Sequence, residues 1–412
     1  MNKITSCKAK EIKDSRGNPT IEVEIGSEDV FMSASVPSGA SAGSREALEK
    51  RDEDGKGVQT AIKNVNEIIG PAIMGLDVEP LNIDELLLEL DGTENKSNLG
   101  ANAILGVSIA TTKLKAKLEN KPLWQYINEI SGVRVEPSQP NLFMNVLNGG
   151  VHAKFRLPFQ EYIVISGGET VKESYGKSLV FLKKLGEAIK EKYGKVEMGD
   201  EGGFSPEMKT IEEPFELLSN LMDSDMVIAN DVAASELYKD GVYSVLGEEY
   251  SSGQFLNIYK NLVENFPIGS IEDPFDESDL PSFENITREV KNWDAKALRK
   301  GIMEDVLIVG DDLTTTNTES ILDSTRNKRA NAVIIKPNQI GTLSEVYKAV
   351  KLARGAGWKI ICSHRSGETM DTFIADLAVG VGAYGLKAGS PSQEVRRVKY
   401  ERLLEIEKEM EK

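Results

Sequence analysis

Cysteine is almost missing. Cys7 and Cys362 are the only two in 412 residues, too few and too far apart for a disulfide framework or a four-thiolate metal site. With a polar opening stretch, MNKITSCKAKEIKDSRG, that lacks a signal peptide's apolar segment, this predicts a cytoplasmic protein. Long apolar runs are missing too. Stretches such as VIIK and IVIS fall far short of the roughly 20 residues that cross a bilayer, so no membrane partner is expected. Basic residues are in deficit, 49 Lys and Arg against 66 Asp and Glu for a net charge of −17, with a pI near 4.9. Such a field repels phosphate backbones, which argues against nucleic acid as a primary partner, and an anionic small substrate would need cations supplied locally. Several fingerprints of known chemistries are absent, among them G-x-x-x-x-G-K-[ST], H-E-x-x-H, G-x-S-x-G and paired C-x-x-C. Gly380, Gly382 and Gly385 spell G-x-G-x-x-G, but they follow a predicted helix and precede a strand, the reverse of the dinucleotide-binding order.

What the chain does hold is an ordinary globular mixture, 40% hydrophobic and 28% charged, long enough for two or three domains with a large core. Strand-like pieces at Ile4 to Ile12, Thr20 to Ile25 and Val30 to Val36 precede helical patterns at Val58 to Ile69, Ile83 to Leu90 and Ala103 to Leu118. These predict an N-terminal α+β domain over residues 1–132. Gly132 to Pro140, with two prolines and little periodicity, reads as the crossing into a second domain over residues 140–412. There the chain repeats one pattern, a short apolar run ending in a charged or polar residue, then a turn and a helix: EYIVIS, KVEMGDEGG, MVIANDVAAS, IGSIEDPF, VLIVGDDL, AVIIKPNQIG, KIICSHRSGE and GLKAGS. Apolar strands alternating with helices imply a parallel sheet covered on both faces, and about eight such units close into a βα-barrel, with an open doubly wound sheet as the alternative. The strand ends hold Glu161, Glu201, Asp231, Glu272, Asp311, Lys336, His364 and Lys387, which a barrel would gather at one mouth.

Those residue types define a chemistry. Asp231, Glu272 and Asp311 could each be a solvated strand end or a helix cap, but three carboxylates converging on one point repel unless a hard cation neutralises them, and oxygen-only ligation favours Mg²⁺. Lys336 and Lys387 fall in the same mouth. A second lysine and a metal nearby would lower Lys336 from its usual value of about 10.4 until it served as a general base, although a structural ion pair is the alternative for each lysine. Arg365 and Ser366, after His364, suit a phosphate or carboxylate. Ser38-Gly39-Ala40-Ser41-Ala42-Gly43 reads as a linker or a lid over a bound anion, and His152 and His364 as structural residues when taken singly. A cation, a poised lysine and an anion clamp suit removal of a proton next to a carboxylate, with Glu201 assisting a departing hydroxide: a metal-dependent β-elimination.

On these residues the chain resembles the enolase family, from near Glu11 to the C-terminus. The shared motifs are DSRGNPT (Asp14 to Thr20), VPSGAS (Val36 to Ser41), ELDGTENKSNLGANAILGVS (Glu89 to Ser108), GDEGGF (Gly199 to Phe204), DVAASE (Asp231 to Glu236), SIEDPF (Ser270 to Phe275), GDDL (Gly310 to Leu313), KPNQIGT (Lys336 to Thr342) and SHRSGETMDTFIADLAV (Ser363 to Val379). The resemblance implies an N-terminal α+β cap domain, a modified TIM-type (β/α)8 barrel, and Mg²⁺-dependent dehydration of 2-phosphoglycerate to phosphoenolpyruvate in glycolysis and gluconeogenesis. It also implies a homodimer or higher homo-oligomer. By motif position it makes Lys336 the base at C2 and Glu201 the acid, supported by Glu161. Asp231, Glu272 and Asp311 would hold a first Mg²⁺, and Ser41 with the substrate phosphate a second. Gln160 and Lys387 would meet the substrate carboxylate and the intermediate, Arg365 and Ser366 the phosphate, and His152 and His364 would line the site.

The departures from the family pattern lie near that site. Ala153-Lys154-Phe155-Arg156-Leu157-Pro158-Phe159 follows His152 where small polar residues are usual, and predicts a stiffer, larger lid loop. Ala42 stands for a usual Thr, Val151 for Ser, Ala388 for Thr and Gln393 for Arg. The expected rivals are therefore an enolase-like enzyme acting on another phosphorylated or phosphono-carboxylic acid, and a non-catalytic scaffold.

Overall fold

The computed structural model describes residues 2–39, 43–154, 156–298 and 303–411. Near the N-terminus, β1 (Ser6–Lys13), β2 (Pro19–Ser27) and β3 (Val30–Ser35) form an antiparallel meander. The turn between β1 and β2 is made by DSRGN itself. Asp14 Oδ1 accepts from the backbone N–H of Arg16 and Asn18 at 2.9 and 2.8 Å, and Gly17 supplies the left-handed φ of +80° that a side chain would resist. Helix α2 (Ala101–Leu118) covers this sheet, and α1 (Pro80–Asp91) packs against α2. Most side chains of α2 are buried, because the helix is wedged between β2 and β3 on one side and the barrel on the other.

Eight strands close the barrel: β4 (Asn141–Asn148), β5 (Glu161–Ser166), β6 (Met226–Asp231), β7 (Ile268–Glu272), β8 (Leu307–Gly310), β9 (Ala332–Ile335), β10 (Lys359–Ser363) and β11 (Gly385–Lys387). The register Gly385↔Asn141 joins the last strand to the first, so the sheet is closed rather than open and doubly wound. Along β9 the side chains alternate between two cores: Ala332 and Ile334 pack inside the barrel with Phe143, Ile163 and Val309, while Val333 and Ile335 join the apolar layer under the outer helices. That double burial is why these strands read as continuous apolar runs.

Two expectations about the strands are corrected. The sheet is not wholly parallel, since β5 runs antiparallel to both β4 and β6. KVEMGDEGG supplies no barrel strand. Its Glu197–Met198 forms a short antiparallel hairpin with Phe204–Ser205, and the barrel position belongs to β4, whose NLFMNVLN sits directly after the interdomain crossing.

The N-terminal domain is fastened beside the barrel mouth by charge and hydrogen bonds as well as packing. Lys113 pairs with Asp371 at 2.7 Å and Lys96 with Glu345 at 2.6 Å. Asp84 of α1 accepts from the Ser344 N–H at 2.8 Å, at the start of α3 (Leu343–Gly355), while its other oxygen is buried without a partner. Burial pushes the Asp84 carboxyl up to about 6 from an ordinary 3.8, against the opposing hydrogen bonds from Ser108 and Ser344. The folded protein therefore holds this proton more tightly than the unfolded chain does. The resulting stabilisation is present in full below about 3.8 and lost as the pH climbs through about 6. Asp84→Asn keeps an acceptor for Ser344 and removes the charge. It is expected to raise the thermal midpoint by about 2–4 °C at pH 7.5 and to change it little near pH 4. Calorimetry at the two pH values decides the matter, because an equal gain at both would exclude ionisation of Asp84 as the cause.

The chain closes with α4 (Glu394–Met410), packed against the barrel. Cys7 and Cys362 are buried free thiols, both pushed up to about 12 by burial. Among the described residues no helix is long and apolar enough to cross a membrane.

Candidate active site

The parallel strands deliver their ends to one side of the barrel. Asp231 and Glu272 are the last residues of β6 and β7, in direct register with each other, and Lys387 is the last residue of β11. Asp311, Lys336 and His364 follow β8, β9 and β10. Glu161 arrives differently. It is the first residue of β5, and only because that strand is antiparallel does it reach the same mouth, paired in register with Asp231. Glu201 comes from the loop inside the short hairpin, which is pressed against Asn148 at the end of β4. The Gly203 N–H donates to Asn148 Oδ1 at 2.9 Å, and a Cβ at Gly199 would lie 2.3 Å from the Asn148 side chain. The glycines of GDEGG thus permit the approach that buries Glu201 at 3% exposure.

All of these but Glu272, with His152, Gln160, Arg365 and Ser366, line a polar cleft of about 540 Å³ of empty space, open solvent included. Glu272 borders it through Lys387, whose ammonium lies 3.1 Å from Glu161, 2.9 Å from Asp231 and 2.8 Å from Glu272. Asp311 instead pairs with Lys336 and accepts from Gln339 Nε2 at 3.0 Å. The three carboxylates read as one ligand set are therefore divided between two lysines in this structure. Ser41 lies outside the described residues, as does Phe155. The neighbouring Ser38 bridges the two domains, exchanging backbone hydrogen bonds with Gly367 at 2.8 and 2.9 Å.

Charge in the cleft is out of balance. Burial, and then the facing Glu201, raise the Glu161 carboxyl well above its ordinary range. Burial and the neighbouring Asp231 do the same to Glu272, and burial with Asp312 and Asp311 to Asp273. Burial and Asp311 push Asp312 up to about 7. Burial also opposes charge on Glu201, yet the imidazoles of His364 and His152 and the cations of Arg396 and Lys387 hold it well below the usual carboxylate range. The two carboxyls are shifted in opposite directions, Glu161 upward and Glu201 downward, with atoms within 4.8 Å of each other.

The expectation for Lys336 joined a second lysine with a metal ion; the protein's own side chains, taken together, act the other way. Burial, Arg365 and Lys387 do lower it, but contact with Asp311 outweighs them and raises the Lys336 ammonium above its ordinary value. A partner carboxylate at ion-pair distance dominates cations farther off.

The residues present fit a hard divalent cation. The donors are all oxygens, burial and neighbouring carboxylates raise Glu272, Asp273 and Asp312 above their ordinary values, Asp273, Asp311 and Asp312 cluster within 4.8 Å, and Glu161 Oε2 is buried without a partner. They fit an anion as well. Ser366 Oγ is buried and unpartnered, next to the buried guanidinium of Arg365, which Glu46 of the N-terminal domain meets at 2.9 Å.

Several participants escaped sequence reasoning. Glu46 links the loop after Gly43 to Arg365, and Gln339 donates both to it and to Asp311, at 3.2 and 3.0 Å. Asp273 accepts from the backbone N–H of Asp311 and Asp312 at 3.1 and 2.7 Å, tying the β7 end to the β8 end. Arg396 and Lys399 lie on the inward face of α4 with Tyr400, Leu403 and Ile406; two cations on an apolar helical stripe were the available signal. The departing loop after His152 turns away from the cleft where it is described. Leu157 and Phe159 are fully buried, Phe159 stacks on Tyr162 and meets Phe215 and Phe255 edge-on, and Arg156 pairs with Glu197 at 2.8 Å.

Comparison with known proteins agrees with this architecture. Residues 4–127 match the family described as "Enolase, N-terminal domain" and residues 137–412 that described as "Enolase, C-terminal TIM barrel domain". The chain is 46% identical to the enolase of Thermococcus gammatolerans over 426 aligned positions, covering 99% of this chain and 95% of that protein. It is 44% identical to the enolase of Methanopyrus kandleri, covering 100% and 96%, and 44% identical to that of Methanocaldococcus jannaschii, covering 98% and 94%. With both domains matched along almost the whole length, the chain belongs to the enolase family of lyases.

Proposed function

We propose that this protein catalyses the reversible dehydration of 2-phosphoglycerate to phosphoenolpyruvate with Mg²⁺ as cofactor. The observation that carries the reading is the gathering in one cleft of Lys336, paired with Asp311, and of Glu161 and Glu201, whose carboxyls are shifted in opposite directions. In the forward direction the Lys336 amine takes the C2 proton, the electron pair of that bond becomes the C2=C3 bond, and the C3–O bond breaks. The departing hydroxide leaves as water with a proton that passes from Glu161 through Glu201. Arg365 and Ser366 bind the phosphate, Gln160 and Lys387 the carboxylate, and His152 and His364 exclude water around the reacting carbons. Asp231, Glu272 and Asp311 would hold one Mg²⁺, and Ser41 with the phosphate a second. A bound cation would supply charge that offsets these carboxylates, and would favour a neutral Lys336 amine and negative charge on the substrate carboxylate. A homodimer or larger homo-oligomer belongs to the same reading.

The test is turnover of 2-phosphoglycerate, followed by ultraviolet absorbance of the enol product with Mg²⁺ and then with excess chelator. Rapid turnover that the chelator stops is expected. Folded protein that binds Mg²⁺ without turning over would overturn the proposal.

A further inference from the structure

We infer that Arg396 is a positioning residue whose guanidinium fixes His364 in the neutral tautomer with its proton on Nε2, directed at Glu201. Arg396 has no solvent exposure, and among the described residues no carboxylate forms an ion pair with it. All of its donors are used. Nε donates to Gln393 Oε1 at 2.8 Å; Nη2 donates to the carbonyls of Asp200 and Ser366 at 3.1 and 2.9 Å; Nη1 donates to the carbonyl of Arg365 at 3.2 Å and to Nδ1 of His364.

The tautomer follows from the donor inventory. A guanidinium has N–H groups and no acceptor, so the Nδ1 it contacts presents a lone pair, and the single proton of a neutral imidazole sits on Nε2. That nitrogen lies 3.6 Å from Glu201 Oε2. The ring is kept neutral by burial, which Glu201 offsets only in part, with Arg396, Lys387 and Lys336 adding to the penalty on a second proton. The contact also has space built for it. Gly389 adopts φ +74°, and a Cβ there would lie 2.4 Å from Arg396 Cδ and 2.8 Å from His364 Cε1.

A buried guanidinium with no carboxylate of its own is costly to maintain, and its charge acts with that of its neighbours to lower Glu201. The order Arg396, His364, Glu201 keeps an N–H, rather than a lone pair, facing the charged carboxylate. Without Arg396 the Nδ1 lone pair loses its donor, and Glu201 alone would favour the proton on Nε2.

Because the chain has two histidines, a long-range ¹H–¹⁵N spectrum of protein labelled at histidine resolves both rings, and His152→Gln assigns them. At pH 7.5 His364 is expected to show an unprotonated Nδ1 and a protonated Nε2. In Arg396→Gln the pattern should move toward a mixture. The activity arm rests on the proposed dehydration: kcat for 2-phosphoglycerate should fall about 10–100-fold with KM within about threefold. Wild-type protein with the proton on Nδ1, or an even mixture, overturns the inference even if every Arg396 variant fails to fold. An unchanged spectrum in folded Arg396→Gln overturns it too. A locked tautomer in protein that does not turn over 2-phosphoglycerate would leave this inference standing and remove the proposed function.

Discussion

Lys336→Ala is expected to abolish exchange of the C2 proton of 2-phosphoglycerate with solvent and to lower turnover by about 10³–10⁴-fold, the scale of a lost general base. Proton exchange read by NMR in deuterated buffer isolates that step from the loss of hydroxide. Retained exchange would take Lys336 out of the base role. The variant carries a second signature, because Lys336 and Asp311 form an ion pair at the cleft wall. Removing the ammonium leaves Asp311 with Gln339 as its remaining side-chain donor, and loss of one partner of a buried pair costs about 3–5 kcal/mol. The thermal midpoint should therefore drop in chelator and recover when Mg²⁺ is added, since the cation would supply the charge that the lysine no longer does. A midpoint insensitive to Mg²⁺ would argue against Asp311 as a ligand.

Glu201→Gln should separate the two halves of the reaction. Product formation falls by about 10²–10⁴-fold for want of the proton delivered to the leaving hydroxide, while exchange at C2 continues at a measurable rate. Equal loss of both steps would make that division of labour untenable. Glu161 is the member of the pair whose carboxyl is raised and Glu201 the one whose carboxyl is lowered, so Glu161→Gln should also lower product formation by removing the proton source behind Glu201. It should weaken Lys387 as well, whose ammonium, despite burial, is held well above its ordinary value by Asp231, Glu161 and Glu272.

The sequence carried much of the architecture because the physics there is local. Each of MVIAND, IGSIE and AVII is an apolar run short enough for a strand and buried on both faces, as β6, β7 and β9 show, and a turn with a charged residue follows each. Where the pattern misled, the cause was non-local. EYIVIS reads the same in either direction of travel, and nothing within it announces that β5 would pair antiparallel with both neighbours. KVEMGDEGG has the composition of a strand and a turn, but the barrel position was taken by NLFMNVLN, whose pairing with β11 spans most of the domain.

The same distinction runs through the site. Composition, spacing and motifs on their own determined the α/β class, the set of chemistry-bearing residues at the strand ends, the resemblance that names the family, and the need for local cations in an acidic protein. They could not decide how charge is shared once those residues meet. Tertiary structure alone sets Lys387 among three carboxylates, pairs Lys336 with Asp311 so that its ammonium is strengthened rather than weakened, brings Glu46 from the other domain onto Arg365, and threads Arg396 from the last helix to His364. The reason is physical. Helix and strand signals are set by neighbours a few residues apart, whereas a pKa or a tautomer is set by whichever buried charges and donors lie within a few ångströms, and those come from parts of the chain that only the closed barrel brings together.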